Sequence, residues 1–396
     1  MRIFIEPVEP LLFRTGRPFT AGENNFAETV FPPTPETLQG ALRAMIAIQW
    51  GKAQADSAWT IDEVFNADAV VRLIGKRFRD RNVYGRFRIT GLALGRRTGK
   101  GVERLFPPPA HIIQVIVDEA GKQVPRLVKL KPEQRPGGTS NIPEEKQMLF
   151  PELEEKKTAA KAEDISGWLT PQGLQAILKG EIPQIEDLIA VDDICSRESR
   201  LGIGMNNATK TTEVGYLYQV QMIRMQPGFG FVVDIQLGEE HHGASELPQS
   251  EQCTGGLETP SELAFLNEGW LTLGGEQRAA RFEVLSAEHV VEEQDISQTR
   301  PGRLLYFATP AYFEHGWLPA SPAILPAEPI TAAINRYQSI GGWFLNPANA
   351  GGSGKITRRC LPAGSVYFFD KQVSVKQPLT EYGWQIGYGI AYTGEY

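Results

Sequence analysis

Residues 72–104, "RLIGKRFRDRNVYGRFRITGLALGRRTGKGVER", hold eleven Lys or Arg against two acids, in a chain whose formal net charge is -7. Phe78, Tyr84 and Phe87 are interleaved with these cations. Guanidinium and ammonium groups neutralise phosphates, and aromatic faces stack on unpaired bases, so the pattern reads as a contact surface for RNA or single-stranded nucleic acid. Arg79, Arg81, Arg86, Arg88, Arg96, Arg97 and Lys100 are its candidate contacts. Arg14 and Arg17 in "FRTGRPF" form a second, smaller basic element. The competing reading is a set of solvated strand edges, where positive charge guards against edge-to-edge pairing.

Other chemical-looking stretches fail on spacing. In "NAGGSGKIT" Asn349 stands where a phosphate-cradling loop needs its first glycine, and Ile356 stands where it needs a hydroxyl. That leaves a loop with one candidate cation, Lys355. The terminal "GYGIAYTG" has Tyr392 at the third glycine position of a dinucleotide fingerprint and opens no βαβ unit. His111, His241, His242, His289 and His315 lack the spacing of a metal site, and no nucleophile elbow occurs. Neither a metal nor a cofactor is expected.

The last sixteen residues, "EYGWQIGYGIAYTGEY", contain four glycines and five aromatics. Glycine in a strand or helix costs roughly 0.5–1 kcal/mol relative to alanine, so such a cluster needs a backbone reason. A tight turn is one reason. Close approach of another chain or ligand is the other, and it is the expectation for Gly387 and Gly389.

The elements that must carry these residues are mostly strands. "RIFIEPVEPLLF" reads as a strand broken by Pro7 and Pro10. Thr34 as a cap, Pro35 at the first helical position and Leu38, Leu42 and Met45 on one face predict a helix from about 35 to 50, with Gly51 ending it. "AVVRLIG", "YGRFRITGLAL" and "AHIIQVIVD" read as short strands. Residues 141–193 carry twelve acids against five lysines and read as a solvated insertion with one helix at "PQGLQAILKG". "GYLYQVQMIRMQPGFGFVVDIQL" predicts a hairpin turning at Pro227 and Gly228, and residues 238–260 a loop. Further strands follow at "GGEQRAARFEVL", "RLLYFATPAYF", "GSVYFFD" and the terminal "GYGIAYTGEY".

A chain of 396 residues exceeds the ~250 at which single cores stop growing, so two domains are expected, with α+β content in each. Cys195, Cys253 and Cys360 are too few and too scattered for a disulfide framework or a zinc ribbon, which fits a reducing cytoplasm. No run of about 18 apolar residues occurs, so no membrane span or export signal is expected.

Several stretches taken together resemble one family. They are "EPLLFRTGRPFTAGENNFAETVFPPTPETLQGALR", "FPPPAHI", "ESRLGIGMNNATKTTEVGYLYQVQMIRMQPG", "LGGEQR", "TPAYFEHGW" and "LPAGSVYFFD". The family is the third-numbered, RAMP-superfamily subunit of the Cmr complex, the type III-B CRISPR effector. The resemblance runs the length of the chain and is weakest in 141–193 and 238–260. It implies two ferredoxin-like (RRM-type) domains with insertions, divided here into residues 1–197 and 198–396, and a C-terminal glycine-rich loop in which Gly387 and Gly389 match the paired glycines. It further implies a structural, non-catalytic subunit that binds the repeat-derived 5′ tag of crRNA and contacts the large polymerase-like subunit and the first backbone subunit. The alternative within the superfamily is a metal-independent endoribonuclease, which would need an acid or base such as Lys355, Tyr388 or His315. A scaffold that leaves all RNA to its neighbours is the third reading.

Overall fold

The computed structural model describes the chain apart from residues 15–25, 55–58, 77–84, 120–121, 135–145, 153–158, 207, 240–257, 292–299, 345–352 and 376–377. Mixed α+β architecture results, with several antiparallel sheets.

The first sheet has six strands in the order Glu268–Leu273, Arg278–Leu285, Arg2–Pro7, Phe229–Leu237, Phe87–Thr98, Gly101–Leu105. It draws strands from both sides of residue 197, and that position itself lies inside the strand Cys195–Met205. Helices α1 (Pro35–Ala53), α2 (Ile61–Asn66) and α3 (Asp68–Ile74) bury Leu42, Met45, Ile46, Val64, Val70 and Ile74 in one core with Ile3, Ile5, Phe231 and Val233 of this sheet. The stretch "AVVRLIG", expected as a strand, is thus mostly α3. Its Val70, Leu73 and Ile74 are buried at helical spacing, and burial against α1 outweighs the weak strand preference of two valines.

Helix α1 also departs from expectation in two details. Thr34 is the N-cap, but its hydroxyl faces the Thr37 hydroxyl at 3.2 Å instead of a backbone amide. The helix continues through Gly51, where a Cβ would come within 2.7 Å of Val64, so this glycine admits α2 instead of ending α1. Ile48 is exposed.

The expected hairpin at Pro227 and Gly228 is a turn between two sheets. Phe229 donates to the Gln226 carbonyl and Gly228 has φ +80°, as a turn requires. Yet the strand Thr212–Met225 pairs with Cys195–Met205 and Phe26–Ala27, whereas Phe229–Leu237 pairs with Arg2–Pro7 and Phe87–Thr98. Both edges of each strand are taken by other partners.

The acidic segment is structured in its described part. Met148–Pro151 and Ala159–Asp164 are the outer strands of a four-stranded sheet whose inner strands are Lys122–Glu133 and Ile112–Glu119. Helix α4 (Pro171–Leu178) forms where expected, capped by Thr170 and followed by Gly180 at φ +79°. Its Leu174 and Ile177 pack on the other four-stranded sheet, ordered Thr331–Ala333, Val366–Val373, Gly302–Phe307, Ala391–Gly394. That sheet is covered on both faces. Leu304, Tyr306, Val366 and Phe368 join one core, and Leu305, Phe307, Tyr367 and Phe369 the other, as the alternation along two wholly apolar runs demands.

Candidate nucleic-acid interface

Arg17, Arg79 and Arg81 lie outside the described residues, as do Phe78 and Tyr84. Arg86, Arg88, Arg96 and Arg97 of the basic stretch have partners within the chain. Arg86 donates to the Gly238 carbonyl at 2.9 Å and pairs with Glu262. Arg88 is 4% exposed; it donates to the carbonyls of Gly85 and Glu239, each at 2.7 Å, and lies over the Trp384 ring. Arg96 pairs with Glu103 across the Phe87–Thr98 and Gly101–Leu105 strands. Arg97 pairs with Glu283 at 2.6 Å and lies over Phe4. For these four arginines the fold supplies carboxylates and carbonyls, several of them from distant sequence. Lys100, at the tip of that strand pair, is exposed, and so is Arg14, whose backbone bridges to Thr29.

Lys355 lies in a different basic group, one assembled by strand pairing. Strand Arg358–Cys360 pairs with Gln338–Ile340, and the Lys355 amide donates to the Gly342 carbonyl at 2.8 Å, which joins the two segments. Lys355 and Arg359 are exposed. Arg359 lies over the ring of Tyr337, which is 49% exposed, and Arg358 lies 3.7 Å from the Tyr382 centroid and 5.6 Å from that of Tyr312. No carboxylate pairs with Lys355, Arg358 or Arg359 among the described residues. Three cations within five residues, next to aromatic faces and free of acids, are the elements of a phosphate-and-stacking surface. The signal in the sequence is "KITRR", a basic run without an acid, masked by its failure as a phosphate loop.

The glycines of the C-terminus are packed inside the chain. Gly387 has φ +98° and a Cβ there would lie 2.9 Å from Ile89 of the first sheet; Gly389 has φ +70° and a Cβ would lie 2.4 Å from the Leu379 carbonyl oxygen. In this structure the close approach that glycine permits is therefore to the chain's own backbone and side chains, together with left-handed turns. Between them Tyr388 is fully buried and its hydroxyl donates to Glu36 in the first turn of α1. Burial, then the neighbouring Glu36 and Cys360, push its pKa well above the ordinary tyrosine value.

The model of the family described as CRISPR-associated protein (Cas_Cmr3) matches residues 3–396. The chain belongs to that family. No curated protein sequence matches it. Among solved structures, chains from two cryo-EM structures of the type III-B Cmr-beta are similar to this Cas_Cmr3 chain. One is bound to cognate target RNA and AMPPnP, state 1, and aligns at 15% identity and TM-score 0.45; the other is bound to cognate target RNA and aligns at 16% and 0.44. Each alignment covers 93% of this chain and 86% of the other.

The residues that could serve a Cas_Cmr3 nuclease are not brought together by any contact among the described residues. Tyr388 is buried against Glu36, while His315 is exposed and makes a backbone bridge with Leu318. Among the described residues no cluster of His, Cys, Asp or Glu could hold a metal ion, and no helix is long and apolar enough to cross a membrane.

Proposed function

We propose that this chain is the guide-anchoring subunit of a type III-B CRISPR effector: a non-catalytic, double ferredoxin-like protein that binds the 5′ repeat-derived tag of crRNA. In that role it joins the large polymerase-like subunit to the backbone RAMP subunit, in antiviral defence. Membership of the Cas_Cmr3 family over residues 3–396 is the observation that carries the reading.

Within it, RNA contact is assigned first to Lys355, Arg358 and Arg359 with Tyr337, and to Lys100 and Arg14 as exposed cations. Arg17, Arg79 and Arg81 belong to the same proposal by sequence. Arg86, Arg88, Arg96 and Arg97 serve mainly to hold the first sheet together, and Gly387 and Gly389 to seat the C-terminal loop that carries Tyr388.

The test is salt-titrated binding of tagged and untagged guide RNA in chelator, with a gel lane for cleavage. Lys355→Glu with Arg359→Glu is expected to weaken tag-dependent binding and flatten the salt slope by about 0.7 for each phosphate that is no longer neutralised. An unchanged slope would remove this hairpin from the RNA surface. Cleavage at a fixed site would replace the anchoring role with that of a processing nuclease.

A further inference from the structure

A groove of about 340 Å³ opens beside the basic hairpin. Its walls come from the start of α1, from Leu92–Leu94 of the first sheet, and from segments 308–310 and 362–363, which flank the strands Gly302–Phe307 and Val366–Val373. Leu38, Trp168 and Phe231 supply apolar side chains. Six prolines also line it: Pro32, Pro33, Pro35, Pro107, Pro310 and Pro362. Proline has no N–H, so these walls offer few of the backbone donors that phosphate oxygens and base acceptors require. The two threonines are already engaged, Thr34 with the Thr37 hydroxyl and Thr309 as acceptor of the Ile390 amide. What remains polar is the rim, with Arg336, Tyr337 and Gln338. Arg336 is exposed and has no acid partner among the described residues.

We propose that this groove is a docking site for a neighbouring protein subunit, which inserts one large apolar or aromatic side chain between the prolines and pairs an adjacent carboxylate with Arg336. Charge complementarity selects the occupant: an apolar interior with a single uncompensated guanidinium at its mouth matches an anchor residue next to Asp or Glu. An apolar pocket with an arginine at its mouth also has the composition of the few residues that dominate protein interfaces. The volume is within the ~300–1,000 Å³ range of pockets that enclose a ligand. An RNA segment, by contrast, would meet walls poor in donors. The inference rests on the reading of the chain as a subunit of an effector complex, and does not depend on the hairpin's contact with RNA.

The experiment uses the assembled complex. With Gln338 replaced by the photo-crosslinker p-benzoylphenylalanine, irradiation is expected to give an adduct to a protein neighbour at an apolar residue flanked by Asp or Glu. An adduct to RNA, or none to any other subunit, would overturn the proposal. Arg336→Glu is expected to reduce retention of the crosslinked subunit about tenfold or more, the effect of removing an interface hot spot, with unchanged melting temperature. Changing that subunit's carboxylate to lysine should restore retention to Arg336→Glu. Ala363→Trp, which fills the groove without touching charge, should also lower retention. Unchanged retention in both variants overturns the docking site. Failure of the unaltered chain to assemble with any subunit refutes the complex reading instead, so the two failures are distinguishable.

Discussion

Arg2 and Asp234 face each other in antiparallel register at the centre of the first sheet, joined by two hydrogen bonds of 2.6 and 2.9 Å. Arg104 approaches the same carboxylate at 3.5 Å. Gly91, the register partner of Asp234 on the other side, leaves the space: a Cβ there would lie 2.3 Å from the carboxylate oxygen. Burial alone would push the Asp234 carboxyl up, but the hydrogen bond and charge of Arg2, with Arg104 behind them, hold it below the usual carboxylate range. Asp234→Ala leaves two buried guanidinium groups without their anion and is expected to cost about 3–5 kcal/mol. Arg2→Met combined with Asp234→Leu should recover much of that stability. Denaturant melts of the three variants provide the check, and an Asp234→Ala protein of unchanged stability would show that the cluster contributes little.

Arg88 is a structural cation. Its guanidinium ties the start of one strand to the Glu239 carbonyl and covers Trp384 of the C-terminal loop. Arg88→Ala should lower stability by about 2–4 kcal/mol, because buried carbonyls lose a charged donor and the ring loses its cover. Arg88→Lys should restore only part, since one ammonium cannot reproduce the planar fork. Reduced RNA affinity at full thermal stability would return Arg88 to the RNA surface.

Gly389 offers a sharper test of the terminal loop. Gly389→Ala places a Cβ against the Leu379 carbonyl at positive φ, and should cost about 2–4 kcal/mol, visible as a lower melting temperature. A stable Gly389→Ala protein deficient only in RNA affinity would favour close approach of RNA.

His111 predicts a pH dependence. Burial first, then the charge of Lys129, lower its pKa to about 3. Between that value and the ~6.5 of the unfolded chain, the unfolded state binds the extra proton, so stability falls as pH is lowered through this window, by at most ~1.4 kcal/mol per pH unit. Above about pH 6.5 the group contributes no slope. His111→Phe, which keeps an aromatic ring beside Phe368, should flatten the dependence of melting temperature on pH between 7 and 5. An equal slope in both proteins would assign the acid sensitivity to other groups.

Much of the architecture was legible along the chain because its causes are local. Pro35 with Leu38, Leu42 and Met45 specified α1, Pro171 with Leu174 and Ile177 specified α4, and the runs at 302–307 and 366–369 specified strands. The match to the Cas_Cmr3 family is likewise a property of the residues themselves. What the tertiary structure decided is which charges remain available. Eleven cations in one segment say nothing of carboxylates that arrive from elsewhere, and Glu262 and Glu283 reach Arg86 and Arg97 across separations of 176 and 186 residues. The fate of the terminal glycines was decided in the same way, by the arrival of Ile89 and Leu379 beside them. Periodicity and capping act within a few residues; neutralisation, burial and close packing depend on long-range pairing, which only the folded chain defines.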